Sequence, residues 1–238
     1  MRLPTFSFLR HCRFKPLFSP IPRRLSSNLT QTEVKIIFPG NESYVELSPS
    51  WPPEEHPELR AQFLRDMRVL PDFISEEEEA DMLAELEPTL KRMRYEYDHW
   101  DNAIEGYRET ERGSWSGCGG AVLERVKRAA AILRPLSRTH VLDLAAAGHI
   151  RPHVDAVRFC GGVIAGLCLC SSAVMVLRHS QRPQLSARAL LARRALYIMR
   201  GVARYEFTHA GALTWRGERI ERRRRVAVIT REAPPTHQ

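Results

Sequence analysis

The sequence predicts a mainly β domain with supporting helices, an α+β chain whose strands stack as a double-sheet jelly roll. Two observations carry this expectation. Apolar residues recur at helical spacing in two stretches before residue 134, and beyond residue 138 they come as short β-branched or apolar runs separated by Gly, Pro or charged turns. Helices first and strands afterwards is the order of an α+β or mainly β fold, and short strands with turns at this spacing suit a jelly roll.

The first helix is expected over about 76–94. Ser75 and Glu78 form a capping box, Met82, Leu83, Leu86, Leu90 and Met93 make one apolar stripe, and Pro88 would bend it. A second helix is expected over about 120–133, where Val122, Val126, Ala129, Ala130 and Leu133 follow the Gly119-Gly120 breaker. Strands are then expected over 141–144, 163–169, 174–177, 195–199 and 226–230. The stretch 159–177 carries no charge and is long enough to cross a bilayer, but Gly161, Gly162, Gly166, Ser171 and Ser172 interrupt it. It reads as two buried strands with a turn, and no transmembrane segment is expected.

The chain of 238 residues accommodates one well-buried domain, placed at 71–232, behind an irregular Pro-rich segment at 31–70 (Pro39, Pro49, Pro52, Pro53 and Pro57). Its net charge of +8 is unevenly spread. Residues 1–32 hold Arg2, Arg10, Arg13, Lys15, Arg23 and Arg24 and no acid, which leaves 30 of the 36 basic residues against 28 acids in the rest. An acid-free leader rich in Arg and Ser, with Phe6, Leu9 and Phe14 among its cations, reads as a mitochondrial transit peptide over 1–30. A secretory signal is excluded because Arg10, His11, Arg13 and Lys15 break every apolar run. Five cysteines (Cys12, Cys118, Cys160, Cys168 and Cys170) form no C-x-x-C pair, which fits reduced thiols in the mitochondrial matrix.

The most informative segment is His149-Ile150-Arg151-Pro152-His153-Val154-Asp155. In extended chain, residues i and i+2 point to the same side, so His153 and Asp155 can converge on one cation. A bare H-x-D triplet is common. A third ligand from another strand would complete a two-His-one-carboxylate face with open positions opposite, which suits Fe(II) binding a cosubstrate and O2. His209, at the end of an alternating stretch, is available for that place. Further on, Arg225 and Arg231 flank an apolar run six residues apart. An even separation puts both guanidinium groups on one strand face, where they can grip a dicarboxylate. The neighbouring Arg222, Arg223 and Arg224 form a charge run of the solvated kind and are given no role.

The order H-x-D, distal His, R-x5-R resembles the AlkB-like Fe(II)/2-oxoglutarate-dependent dioxygenases. The blocks Arg94-Tyr95-Glu96-Tyr97-Asp98-His99-Trp100-Asp101, Arg108-Glu109-Thr110-Glu111, His140-Val141-Leu142-Asp143-Leu144 and Leu196-Tyr197-Ile198-Met199-Arg200-Gly201 are similar to a mitochondrial member of that family, and the likeness covers roughly 70–231. The resemblance implies a double-stranded β-helix, iron bound by His153, Asp155 and His209, and 2-oxoglutarate held by Tyr197, Arg225 and Arg231. It also implies oxidative decarboxylation of 2-oxoglutarate to succinate coupled to hydroxylation by O2, and roles in programmed necrosis after alkylation damage and in fatty-acid metabolism.

Two departures bear on the substrate. The nucleic-acid demethylases of the family carry an Asn and a Tyr on the strand before H-x-D, where this chain has Leu142 and Leu144. No basic, aromatic nucleotide-recognition lid is visible either, so base flipping has little local support. Three functions are therefore compared. A hydroxylase with a mitochondrial protein or metabolite substrate is preferred. A nucleic-acid demethylase would draw on the basic cluster 216–225, and a regulatory protein with a weakly active iron site is the third. The segment 95–101, with Trp115 nearby, either walls the substrate entrance or simply packs on the sheet. Its acids Glu96, Asp98 and Asp101, extended by Glu105, Glu109 and Glu111, would repel phosphates.

Overall fold

The computed structural model describes residues 42–100 and 102–235. The expected leader at 1–30 lies outside the described residues, and all the elements below fall in the compact unit spanning 36–238. In chain order these are β1 (Val45–Leu47), α1 (Pro57–Asp66), β2 (Met67–Leu70), α2 (Glu76–Leu90), β3 (Ile104–Arg112), α3 (Gly117–Ala130), β4 (Thr139–Ile150), β5 (Val163–Leu169), β6 (Ala173–His179), β7 (Ser186–Leu191), β8 (Leu196–Arg200), α4 (Gly201–Tyr205), β9 (Phe207–Ala212), the short pair β10 (Thr214–Trp215) and β11 (Glu218–Arg219), and β12 (Arg225–Arg231).

Two antiparallel sheets make the domain. One has six strands in the order β2-β8-β5-β12-β4-β3, and the other has four in the order β1-β7-β6-β9. Strand parity sorts the core into two layers. Residues such as Tyr107, Leu142, Ile164, Cys168, Tyr197, Met199, Ala227 and Ile229 leave the six-stranded sheet inward to meet Met175, Leu177, Ala187, Ala189, Leu191 and Phe207 of the other sheet. Their alternates Val141, Ala165, Leu167, Leu196, Ile198, Val226 and Val228 face α2 and α3, which contribute Met82, Leu86, Leu90, Val122, Val126 and Ala130. This is the predicted jelly roll, with helices covering one face.

The cores of both helices are largely as expected and their ends are not: Leu133, expected on the second stripe, is 77% exposed beyond the end of α3. The capping box of α2 is formed, with Ser75 Oγ accepting from the Glu78 amide at 3.1 Å and Glu78 Oε2 accepting from the Ser75 amide at 3.0 Å. The helix runs through Pro88 but stops after Leu90, four residues short of the expected end. Helix α3 starts three residues early, because Gly119 serves close packing and breaks nothing: a Cβ there would lie 2.9 Å from Trp115 and from Glu85.

The stretch 163–177 forms β5 and β6 joined by a turn, as expected, and no described helix is long and apolar enough to cross a membrane. The described part of 31–70 departs from the irregular segment expected. Pro57 opens α1, where its missing N–H costs nothing. Trp51 and Phe63 are buried against Phe207 at ring separations of 5.8 and 4.6 Å, while β1 and β2 extend the two sheets.

Candidate metal and cosubstrate site

Strand β4 ends at Ile150, and after a bend at Pro152 the chain forms a bridge at His153. There the His153 amide donates to the His209 carbonyl at 3.1 Å and the His209 amide donates back at 2.8 Å, an isolated antiparallel bridge onto β9. Residues paired in this way share a face, and the two imidazole centroids lie 4.3 Å apart. Asp155, two residues on, joins them: its Oδ1 is 3.4 Å from His153 Nε2 and 3.6 Å from His209 Nε2. One ligand atom from each of the three residues lies within 4.8 Å of the others.

The protonation states suit a cation. His153 Nδ1 sits 2.9 Å from the Arg151 carbonyl oxygen, which can only accept, so Nδ1 carries a proton and Nε2 is the nitrogen turned to Asp155. Burial, together with His153 alongside, lowers the His209 pKa to about 4 and keeps that imidazole neutral. Burial alone would raise Asp155, but the hydrogen bond with His153 and the charge of Arg231 override it and hold the carboxyl well below its usual range.

The trio opens onto a cavity of about 750 Å³ between the sheets. Parity brings Arg225, Ala227, Ile229 and Arg231 of β12 to its wall, beside Tyr197 and Met199 of β8. Tyr197 pairs with Gly166 across β5 and β8, and its ring fills the space a Gly166 side chain would need: an added Cβ would lie 2.6 Å from the phenol oxygen. Burial raises the Tyr197 phenol to about 12, so it stays a proton donor at neutral pH.

The two arginines differ. Arg231 donates from Nε and Nη2 to Asp155 Oδ2 at 3.3 and 3.2 Å and from Nη1 to His140 Nδ1 at 2.8 Å. Arg225 is 8% exposed, its hydrogen bond in the structure goes to Cys168 Sγ at 3.6 Å, and its Nε has no partner among the described residues. A buried guanidinium without a carboxylate partner is costly, so this one is suited to a ligand that brings the anion.

Leu142 lines the cavity and Leu144 pairs in register with Arg225, so this wall is apolar where the demethylases are polar. At the mouth stand Leu136, Trp100 (68% exposed) and Phe159 (56% exposed), the last two edge to face at 6.3 Å. Trp115 is elsewhere, packed with the α2–α3 layer. Of the acids expected at the rim, Glu109 and Glu111 line the cavity, whereas Glu105 is engaged by Arg151 and His149, and Asp101 lies outside the described residues.

Sequence reasoning missed His140, which faces the cavity at the position two before Leu142; the parity of β4 was the available signal. It also gave Arg224 no role. In the structure Arg224 and Arg108 clamp the fully buried Asp143, with the closest approaches of each at 2.8 Å, and Arg224 reaches Glu87 as well. Two more of the basic cluster make exposed contacts at the surface: Arg216 donates to the Ser43 carbonyl and Arg223 pairs with Glu221.

No protein-family model matches the chain. Curated relatives do: it is 49% identical over 181 residues to the mitochondrial alpha-ketoglutarate-dependent dioxygenase alkB homolog 7 of Mus musculus, covering 72% of this chain and 80% of the relative. The Bos taurus protein of the same name is 49% identical over 180 residues with the same coverage. Among solved structures, OsALKBH1 superposes with a TM-score of 0.54 at 14% identity, covering 70% of this chain and 98% of that one. A Pseudomonas putida prolyl-4-hydroxylase superposes at 0.51 and 12% identity, covering 71% and 93%. At those identities the two structures speak for the fold alone. Half-identity across four fifths of each curated relative speaks for descent, and the chain belongs to the AlkB-type alpha-ketoglutarate-dependent dioxygenases.

Proposed function

We propose that the protein is a mitochondrial hydroxylase of a protein or metabolite C–H bond, with Fe(II) held by His153, Asp155 and His209, 2-oxoglutarate held by Tyr197, Arg225 and Arg231, and O2 as oxidant. The observation that carries it is the meeting, in one cavity, of a two-imidazole, one-carboxylate donor set and a buried arginine with no anionic partner among the described residues. That donor set suits ferrous iron and leaves positions free. When bound, the iron supplies the redox chemistry by which 2-oxoglutarate and O2 give succinate and CO2 while a substrate C–H becomes C–OH.

The chain's own residues do the rest. Arg225 neutralises the far carboxylate of the cosubstrate in a site where charge is weakly screened, and Tyr197 offers it a phenol donor. Arg231 holds Asp155 in one orientation through Oδ2, which leaves Oδ1 turned to the two histidines. Ile164, Met199, Ala227 and Ile229 keep the walls dry and strengthen each of these interactions.

The rim favours an apolar or protein substrate over nucleic acid. Trp100, Phe159 and Leu136 present carbon, Glu109 and Glu111 oppose phosphate, and Arg224 of the basic cluster is spent on Asp143 and Glu87. The mitochondrial location rests on the leader and on the names of the relatives, and within the organelle we place it in the matrix, where reduced cysteines persist. The necrosis and fatty-acid roles implied by the family would follow from which protein or metabolite is hydroxylated.

The test is anaerobic reconstitution with Fe(II) and 2-oxoglutarate, then succinate release on admitting O2 with mitochondrial protein extract, metabolite extract or methylated mitochondrial RNA. Stimulation by protein or metabolites is expected. Stimulation by RNA alone would select the demethylase, and none from any pool would favour a regulatory protein.

A further inference from the structure

His140 stands where three observations meet. It lies on the same face of β4 as Leu142 and Leu144, it lines the cavity, and both its ring nitrogens are engaged by charged groups. Nδ1 is 2.8 Å from Arg231 Nη1, and Nε2 is 2.9 Å from Glu109 Oε2. A guanidinium can only donate, so Nδ1 offers its lone pair, and the ring proton on Nε2 is donated to the Glu109 carboxylate. One tautomer satisfies both contacts.

We propose that His140, locked by Glu109, is a positioning residue for Arg231 that orients its guanidinium toward the cosubstrate, replacing the polar strand contacts that Leu142 and Leu144 do not make. The inference rests on the reading of the site given above. Arg231 is otherwise tethered from one side, by two donors to the single oxygen Asp155 Oδ2. Two N–H groups on one acceptor leave the guanidinium free to rock about that oxygen. The bond from Nη1 to His140 is a third, separate tether, and it fixes the plane.

Glu109 stabilises this arrangement as an anion, since its hydrogen bond with His140 holds its carboxyl below the usual range despite partial burial. Its Oε1 is 3.8 Å from His99 Nε2, beside Trp100. The string Asp155, Arg231, His140, Glu109, His99 therefore runs from the metal trio to the cavity mouth.

A merely structural histidine and a positioning one differ in what their loss weakens. With Mn(II) in place of iron, 2-oxoglutarate affinity is read by titration calorimetry, Mn(II) affinity by paramagnetic resonance, and folding by thermal melting. His140→Leu should raise the 2-oxoglutarate Kd by about tenfold, the effect of losing one hydrogen bond to a charged group, and leave the Mn(II) Kd within about twofold. His140→Asn, whose amide oxygen can still accept from Arg231, should recover most of the loss. Glu109→Leu, which frees the ring, should cost about threefold and carries the test if His140→Leu does not fold.

An unchanged 2-oxoglutarate Kd in His140→Leu, or in Glu109→Leu where that variant stands in, would overturn the proposal. So would parallel losses of Mn(II) and 2-oxoglutarate, or Asn behaving like Leu. Wild-type protein that binds neither Mn(II) nor 2-oxoglutarate would instead sink the reading of the site, and this inference with it.

Discussion

Replacing Arg225 by Met should stabilise the free protein and destroy its response to 2-oxoglutarate, and the two effects have opposite signs. The guanidinium is buried against Tyr197 and Cys168, it has a sulfur contact at 3.6 Å, and its Nε is unpartnered among the described residues. An uncompensated buried charge costs several kcal/mol, and the adjoining cavity gives back part of that by hydration. A net gain of about 1–2 kcal/mol is expected for an apolar side chain of similar length. For a domain of this size that is a rise of about 2–8 °C in Tm. Wild-type protein with Mn(II) should gain about 2.7 kcal/mol from 2-oxoglutarate at a hundred times its Kd, and the variant almost none at the same concentration. Calorimetric melting of both proteins, with and without the cosubstrate, reads all four states. A variant that melts below wild type without 2-oxoglutarate, or that keeps the wild-type increment with it, would refute the assignment of an absent anion to Arg225.

His153→Ala should abolish metal-dependent succinate release while leaving the circular dichroism spectrum intact, because its contacts tie a loop end and fill no core; retained turnover would remove it from the metal site. Gly166→Ala should cost about 1–3 kcal/mol in denaturant melts and weaken 2-oxoglutarate more than metal, since the new methyl meets the Tyr197 ring. Equal weakening of both ligands would count against Tyr197 as a cosubstrate contact. Arg125 and the Ser75 amide hold the Glu78 carboxyl below its usual value of 4.5, so its stabilisation is present above that pH and is lost as pH falls through the lowered folded value. Glu78→Gln should therefore lower stability by about 1 kcal/mol at pH 7 and by progressively less as pH falls below 4.5; a pH-independent difference would contradict the charge-based account.

What could be read in the sequence follows from where the burial pattern is simple. Strand β5 is buried on both faces, and its apolar run 163–169 marks its bounds without error. Helix α2 announced its start through Ser75 and Glu78, while its end depended on Met93 being only half buried outside the helix. Strand β3 gave no signal, because past Tyr107 its inner face is Glu109 and Glu111, polar groups lining a cavity, and its outer face carries the arginine that clamps Asp143. The same reason hid His140.

His153 and Asp155 stand two apart in extended chain and needed no tertiary information to be paired. His209 did, and the bridge between β9 and the end of β4 supplies it. The proline content of 42–70 misled because Pro57 stands at a helix start and Trp51 and Phe63 are buried by partners more than a hundred residues away. Arg224 misled in the opposite way: nothing local distinguishes it from Arg222 and Arg223, and only the pairing of β12 with β4 brings it to Asp143.

The account stands or falls on where metal and diacid sit together. Crystals grown without oxygen in Mn(II) and 2-oxoglutarate should show the ion, by its anomalous signal, bonded to His153, Asp155 and His209, with the distal carboxylate of the diacid against Arg225. An ion bound anywhere else in the cavity, or a diacid that leaves Arg225 bare, would contradict it.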